Sequence, residues 1–192
     1  MKKIIVTLSG LLVILSFSSC GYNTMVDLDE QVQSQWAQVQ NVYKRRADLF
    51  PNLVASVKGA AAHEKETLTA VIEARAKATA VNVDPTKLTP EAIEKFNQAQ
   101  GQLSTALGRL MMVTENYPQL QANQNFLQLQ EQIEGTENRI TVERQKFNEV
   151  TRVYNSKIRS FPNNLTAGMF GFEKKGYFEA DAASQNAPKV EF

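Results

Sequence analysis

Residues able to do chemistry are few and scattered in this chain. It holds a single histidine and a single cysteine. His63-Glu64 has the start of a His-Glu-x-x-His zinc motif, but Thr67 stands where the second imidazole would be. One His and one Cys, with the Cys assigned to another task below, cannot supply an ordinary zinc site. No Ser/His/Asp set assembles, because His63 is the sole candidate base and lies on a helix among Ala and Glu. It reads as a surface histidine. Glu134 and Glu137 share a helical face, as carboxylates on solvated helices commonly do. Gly-rich phosphate loops are absent. The residues therefore predict no catalytic set, no cofactor and no metal, and an enzyme is the least supported of three readings.

The cysteine carries the clearest chemistry. Lys2 and Lys3 form a positive n-region, and Ile4 to Phe17 an apolar h-region. That run is shorter than the roughly 20 residues a spanning helix needs, and it fits a signal peptide. It ends Phe17-Ser18-Ser19-Cys20-Gly21, which resembles the lipobox of bacterial lipoproteins, with Phe17 in place of the usual Leu. The expectation is cleavage before Cys20 and lipidation of its thiol. Plain secretory cleavage near Ser18 and an uncleaved anchor are the alternatives. Several acyl chains on Cys20 would anchor stably where one would not. One cysteine also means no internal disulfide.

Charge narrows the partners. The chain has 21 basic against 20 acidic residues, and removing Lys2 and Lys3 leaves a balance of one negative charge. No basic face suited to phosphate backbones stands out, so nucleic acid is not expected as a partner. A near-neutral body has little electrostatic attraction for an anionic membrane, so the lipid must do the anchoring.

The elements that would position any site are long helices. From Val32 the steps of four and three run Trp36, Val39, Tyr43, Arg46, Phe50, Leu53, Val57, Ala60, Glu64, Thr67 and Val71, a heptad seam. Asp27 is placed to cap a helix starting near Leu28, with Glu30 in capping-box position. Pro51 lies inside the seam, whose phase passes it without a slip. One helix from about 28 to 80, kinked near Leu49 and roughly 80 Å long, is expected; two helices meeting at Pro51 is the second choice. Residues 81–88 form a turn, and Thr89-Pro90 opens a helix to about 115. Its stripe is Ile93, Phe96, Leu103, Leu107, Leu110 and Val113. Tyr117-Pro118 closes it. A third helix, from between Pro118 and Asn123 to about Ser160, repeats Phe126, Ile133, Ile140, Phe147, Tyr154 and Phe161 every seven residues. Residues 165–172 should form a short helix or hook, with Tyr177 and Phe178 as a last contact.

The fold expected is therefore all-α: an elongated antiparallel bundle of three long helices with a short C-terminal helix or hook. The division expected is a signal peptide at 1–19, lipidated Cys20 and tether at 20–27, the bundle at 28–178 and a flexible tail at 179–192. Arg46 and Glu64 stand in the seam and other charges beside the stripes; four are candidate register or partner-binding residues: Arg46, Arg75, Glu137 and Arg144. A buried charge needs a partner, and an antiparallel bundle sets Arg46 or Arg75 against Glu137. Pairs of this kind fix register; the functional alternative is a polar patch that binds a partner.

Several runs resemble the LemA family: Tyr43-Lys44-Arg45-Arg46-Ala47-Asp48-Leu49-Phe50-Pro51-Asn52-Leu53-Val54, Glu115-Asn116-Tyr117-Pro118, Phe147-Asn148, Tyr154-Asn155 and Phe161-Pro162. The likeness covers about residues 22 to 178. It implies a bacterial envelope protein with an N-terminal membrane anchor and an elongated helical body, of undefined biochemical role. It also implies association with envelope zinc peptidases or TPM-domain proteins, and the family has a magnetosome-associated member. Many relatives have an N-terminal transmembrane helix where this chain has a lipoprotein-like signal. Two function readings follow. One is a non-enzymatic scaffold or adaptor of the cell envelope, lipid-anchored through Cys20, its body periplasmic or otherwise extracytoplasmic. The other is a membrane-organising or membrane-remodelling protein acting by self-association as a homo-oligomer on the bilayer.

Overall fold

The computed structural model describes the backbone of residues 2–179 and the side chains of residues 21–179. The expected signal peptide, Cys20 lipidation and tail from 180 onward lie outside the described side chains. Six helices make up the described chain, with no strand among the described residues: α1 (Lys2–Ala60), α2 (Lys65–Ala80), α3 (Pro90–Thr114), α4 (Pro118–Gln121), α5 (Gln124–Arg159) and α6 (Asn163–Phe170). The protein is all-α. The expected long helices are present as α1, α3 and α5, and the short C-terminal helix is α6. α1 packs antiparallel along α5 and α2 along α3.

The expected helix from 28 to 80 is divided. α1 passes through Pro51 and stops at Ala60. The chain then reverses over residues 61–64 and α2 runs back along α1. The heptad phase slips at that point. Ala60, Glu64 and Thr67 are only half-buried, whereas Ala61 and Leu68 are buried with Val57 and Phe126. Nothing in Ala-Ala-Ala-His-Glu breaks a helix by propensity. The reversal wins because it sets Leu68, Val71, Ala74 and Ala78 against α3, where they join one core with Leu103, Leu107 and Leu110. A straight helix would leave that stripe in water, and each fully buried Leu or Val side chain contributes about 1.5–3 kcal/mol. The Tyr117 hydroxyl donates to Glu64 Oε1 at 2.9 Å and ties the reversal to the α3–α4 turn.

The expected tether also differs. Residues 21–27 continue α1, and Asp27 caps nothing. Met25 is fully buried, and the Tyr22 ring meets Phe170 at 4.8 Å and Phe172 at 5.8 Å. These contacts make the segment part of the bundle. The other boundaries follow their caps. Thr89 Oγ1 accepts from the Ala92 N–H with Pro90 in the first turn, and Asn123 Oδ1 accepts from the Asn125 and Phe126 N–H groups. Phe126, Ile133, Ile140, Phe147 and Tyr154 are buried along α5 as expected. Phe161 is not: α5 ends at Arg159, and Phe161 stands 81% exposed beyond it. α6 closes on Gly171 in the left-handed region, φ 74°, a conformation glycine adopts without strain.

Candidate functional site

The buried charge lies at mid-bundle. Arg46 is 1% exposed, and its guanidinium is held by side chains of two other helices. Nη1 donates to Glu137 Oε1 of α5 and to Ser104 Oγ of α3, both at 2.8 Å. Nη2 donates to Gln100 Oε1 at 2.6 Å and to the Gln100 carbonyl at 3.3 Å. Gln100 Nε2 passes the network on to the Ala78 carbonyl of α2 at 3.3 Å. The guanidinium carbon lies 5.0 Å from the Tyr43 ring centre. Arg46 thus joins α1, α2, α3 and α5 at one level. The guanidinium fork suits this use, since it offers several donors in fixed directions.

Arg75 does not meet Glu137. Its Nε donates to the Ala47 carbonyl at 2.8 Å. The reason lies four residues on: in an α-helix Ala47 C=O would accept from the N–H of residue 51, and Pro51 has none. Arg75 of α2 supplies the missing donor. The proline is thereby accommodated without ending α1.

Arg144 meets neither Arg46 nor Glu137. It donates from Nη2 to the Glu179 carbonyl at 3.1 Å and stacks over Phe178 at 4.8 Å. Burial raises the Tyr43 phenol above its ordinary pKa, against the opposing charges of Arg144 and Arg46. Of the four charged residues singled out in the sequence, then, the structure brings Arg46 and Glu137 together and gives Arg75 and Arg144 separate partners.

A second polar cluster had no clear sequence signal. Residues 171–179 form a strap across α1, α3 and α5. Asn155 donates to the Lys175 carbonyl and accepts from the Lys175 N–H, both at 2.9 Å. Asn148 does the same with Phe178 at 2.8 Å. The two asparagines lie seven residues apart on α5, each following an aromatic, and this repeated pair is the one cue the sequence held. Lys175 is 5% exposed; its Nζ reaches Asp29 Oδ1 at 2.6 Å and lies 5.2 Å from the Tyr154 ring. Burial, with the charges of Asp29 and Glu173, holds the Tyr154 phenol well above its ordinary pKa. Gly176 donates to the Leu88 carbonyl at 2.8 Å, and a Cβ there would stand 2.7 Å from the Pro90 Cα.

His63 is exposed at the reversal. No group of three or more His, Cys, Asp or Glu able to hold a metal occurs among the described residues. The Arg46 network opens at one side. Ser104 and Glu137 line a groove of about 600 Å³ between α3 and α5, with Leu107, Gly108, Met111, Gln130, Ile133, Glu134 and Asn138. Its floor is apolar and its α5 wall carries two carboxylates. It could receive an apolar segment with a basic neighbour.

The fold and this site define a class: an all-α bundle cross-linked by buried polar groups. The LemA family model matches residues 35–192, and the chain belongs to that family. It is similar to Magnetosome protein MamQ 2 of Paramagnetospirillum magneticum, 28% identical over 183 residues, covering 84% of this chain and 66% of the relative. It is also similar to Protein LemA of Metamycoplasma hominis, 25% identical over 158 residues, covering 82% and 68%. The chain thus spans just under two thirds of the MamQ relative's length.

Proposed function

We propose that this LemA-family protein is a non-enzymatic, membrane-anchored scaffold or adaptor of the cell envelope. The observation that carries the reading is the groove between α3 and α5. It is apolar, lined by carboxylates, and built on a cross-linked part of the bundle, as a docking surface for another protein's helix or strand would be. The cations held between elements support it from the other side. Arg46, Arg75 and Lys175 are engaged in joining helices and strap, which suits a rod that presents partners. Attachment is assigned to lipid on Cys20. Residues 21–179 contain no helical stretch long and apolar enough to cross a membrane, so attachment is placed in the segment before them. The family resemblance points first to an envelope zinc peptidase or TPM-domain protein as partner.

In-cell photocrosslinking tests this. A photoreactive residue placed at Glu134 or Asn138, both exposed beside the groove, should capture one dominant envelope protein. The same probe at Asn52 on α1 should not. Loss of the crosslink on filling the groove with Gly108→Leu would strengthen the assignment. Crosslinks confined to the chain itself and to lipid would instead favour membrane organisation by self-association.

A further inference from the structure

Among the described residues ten large apolar side chains are exposed, and four of them fall within ten residues: Phe161 at 81%, Leu165 at 61%, Met169 at 81% and Phe170 at 60%. Phe161, Leu165 and Met169 recur every four residues. From Leu165 on they lie on one face of α6, whose opposite side, at Ala167, is buried. The sequence leads one to expect the large apolar residues of α6 to pack back on the bundle and Phe161 to continue the α5 stripe; instead Phe161, Leu165, Met169 and Phe170 are exposed. A contiguous exposed apolar patch of this kind marks an interaction surface.

Its place in the fold names the partner. Residue 21 approaches the first turn of α6, where a Cβ at Gly21 would lie 2.5 Å from Asn163 Oδ1. Tyr22 packs on Phe170. The patch therefore flanks the end of the bundle from which Cys20 and the apolar Ile4–Phe17 run emerge. Basic residues border it. Lys157 and Arg159 sit in the last turn of α5 and Lys174 follows α6, with Glu173 the one acid between 157 and 174. Protruding apolar side chains beside long cations match an interfacial surface, in which the apolar tips enter the acyl boundary and the cations meet anionic headgroups.

We propose that Phe161 and α6 form a membrane-contacting corner that inserts into the bilayer interface beside the anchor. With the anchor it makes a second point of attachment and so fixes how the bundle stands on the membrane. The proposal rests on the reading that the N-terminus attaches the chain to a membrane.

The test uses the full chain, as produced in cells, reconstituted into phosphatidylethanolamine–phosphatidylglycerol vesicles containing acyl-brominated lipid. Tryptophan is introduced as Met169→Trp, Leu165→Trp or, at the far end of α3, Met112→Trp, a position 65% exposed. Trp36 is fully buried and serves as a common background. Vesicle flotation runs in parallel. Expected is quenching at 169 and 165 at least about twofold stronger than at 112, as for side chains a few ångströms into the interface. Equal quenching at all three sites on floating protein would overturn the corner and leave the anchor reading standing. So would a blue-shifted but unquenched signal at 169, which would mean that a protein or second copy covers the patch. Failure to float would remove the anchor reading, and the corner with it.

Discussion

The Arg46 layer separates two unlike halves of the interior. Toward the N-terminal end the core is aromatic: Trp36, Tyr43, Phe96, Phe147, Tyr154 and Phe178 are buried together. Phe178 stacks on Trp36 at 5.9 Å and meets Phe147 edge-on at 5.5 Å. Toward the other end the core is aliphatic and small, with Ala61, Ala74 and Ala78 beside Leu103, Leu107 and Leu110, and Phe50 and Phe126 as its buried phenylalanines. The strap of residues 171–179 crosses the aromatic half. The difference shows two ways of closing a bundle. Large rings leave an irregular gap that a clasp with its own aromatic must fill, whereas small residues let α2 and α3 approach directly.

The largest expected effect breaks the layer between the halves. Glu137→Ala leaves the Arg46 charge buried without its carboxylate and should cost about 3–5 kcal/mol in urea unfolding. Arg46→Leu removes the charge itself and should cost far less. If Arg46→Leu is more stable than wild type and still captures the same crosslinked partner, neither the register nor the partner-binding role of Arg46 stands.

Next come the halves themselves. Phe178→Ala should cost about 4 kcal/mol and expose residues 171–179 to protease, against about 3 kcal/mol for Leu103→Ala in the aliphatic half. A larger loss at Leu103 would reverse the ranking of the two cores. Gly176→Ala tests the clasp at a single atom. Its Cβ would meet Pro90 backbone, so about 1–3 kcal/mol should be lost in thermal unfolding with the aromatic residues untouched.

A smaller effect belongs to α1 near Pro51. Arg75→Ala should cost about 1–2 kcal/mol by orphaning the Ala47 carbonyl. In a Pro51→Ala background, where residue 51 regains its N–H, the same change should cost about 1 kcal/mol less, a coupling that a double-mutant cycle reads directly. Additive losses would mean that Arg75 does not substitute for the missing donor. Last, Arg152→Ala should leave the midpoint of thermal unfolding unchanged, because the Arg152–Glu149 pair is about 60% exposed on both sides.

Much of this was legible in sequence for a local reason. Thr89-Pro90 is a short-range capping signal that places the start of α3, while the start of α5 was bounded only between Pro118 and Asn123 until the structure showed Asn123 as its cap. Phe126 to Tyr154 repeat every seven residues over a helix long enough to make the period unmistakable. Antiparallel geometry set either Arg46 or Arg75 against Glu137, and the structure chose Arg46. The reversal at 61–64 was not legible. Its residues are good helix formers, and the seam reads on through them with Ala60 where Ala61 is used. Asn148 and Asn155 were visible as a repeat, but their roles depend on backbone more than 19 residues away.

Composition, caps and period thus determined by themselves that the chain is all-α, where α3 begins, and which face of α5 is buried. These are properties of turns and stripes, set within a few residues of chain. Tertiary structure alone decided that the first helix turns back at Ala61, that Arg75 completes the helix Pro51 interrupts, and that α6 presents Leu165 and Met169 outward. Each depends on which surface arrives opposite. A buried stripe, an orphaned carbonyl and an exposed patch are defined by their neighbours, and those neighbours come from distant parts of the chain.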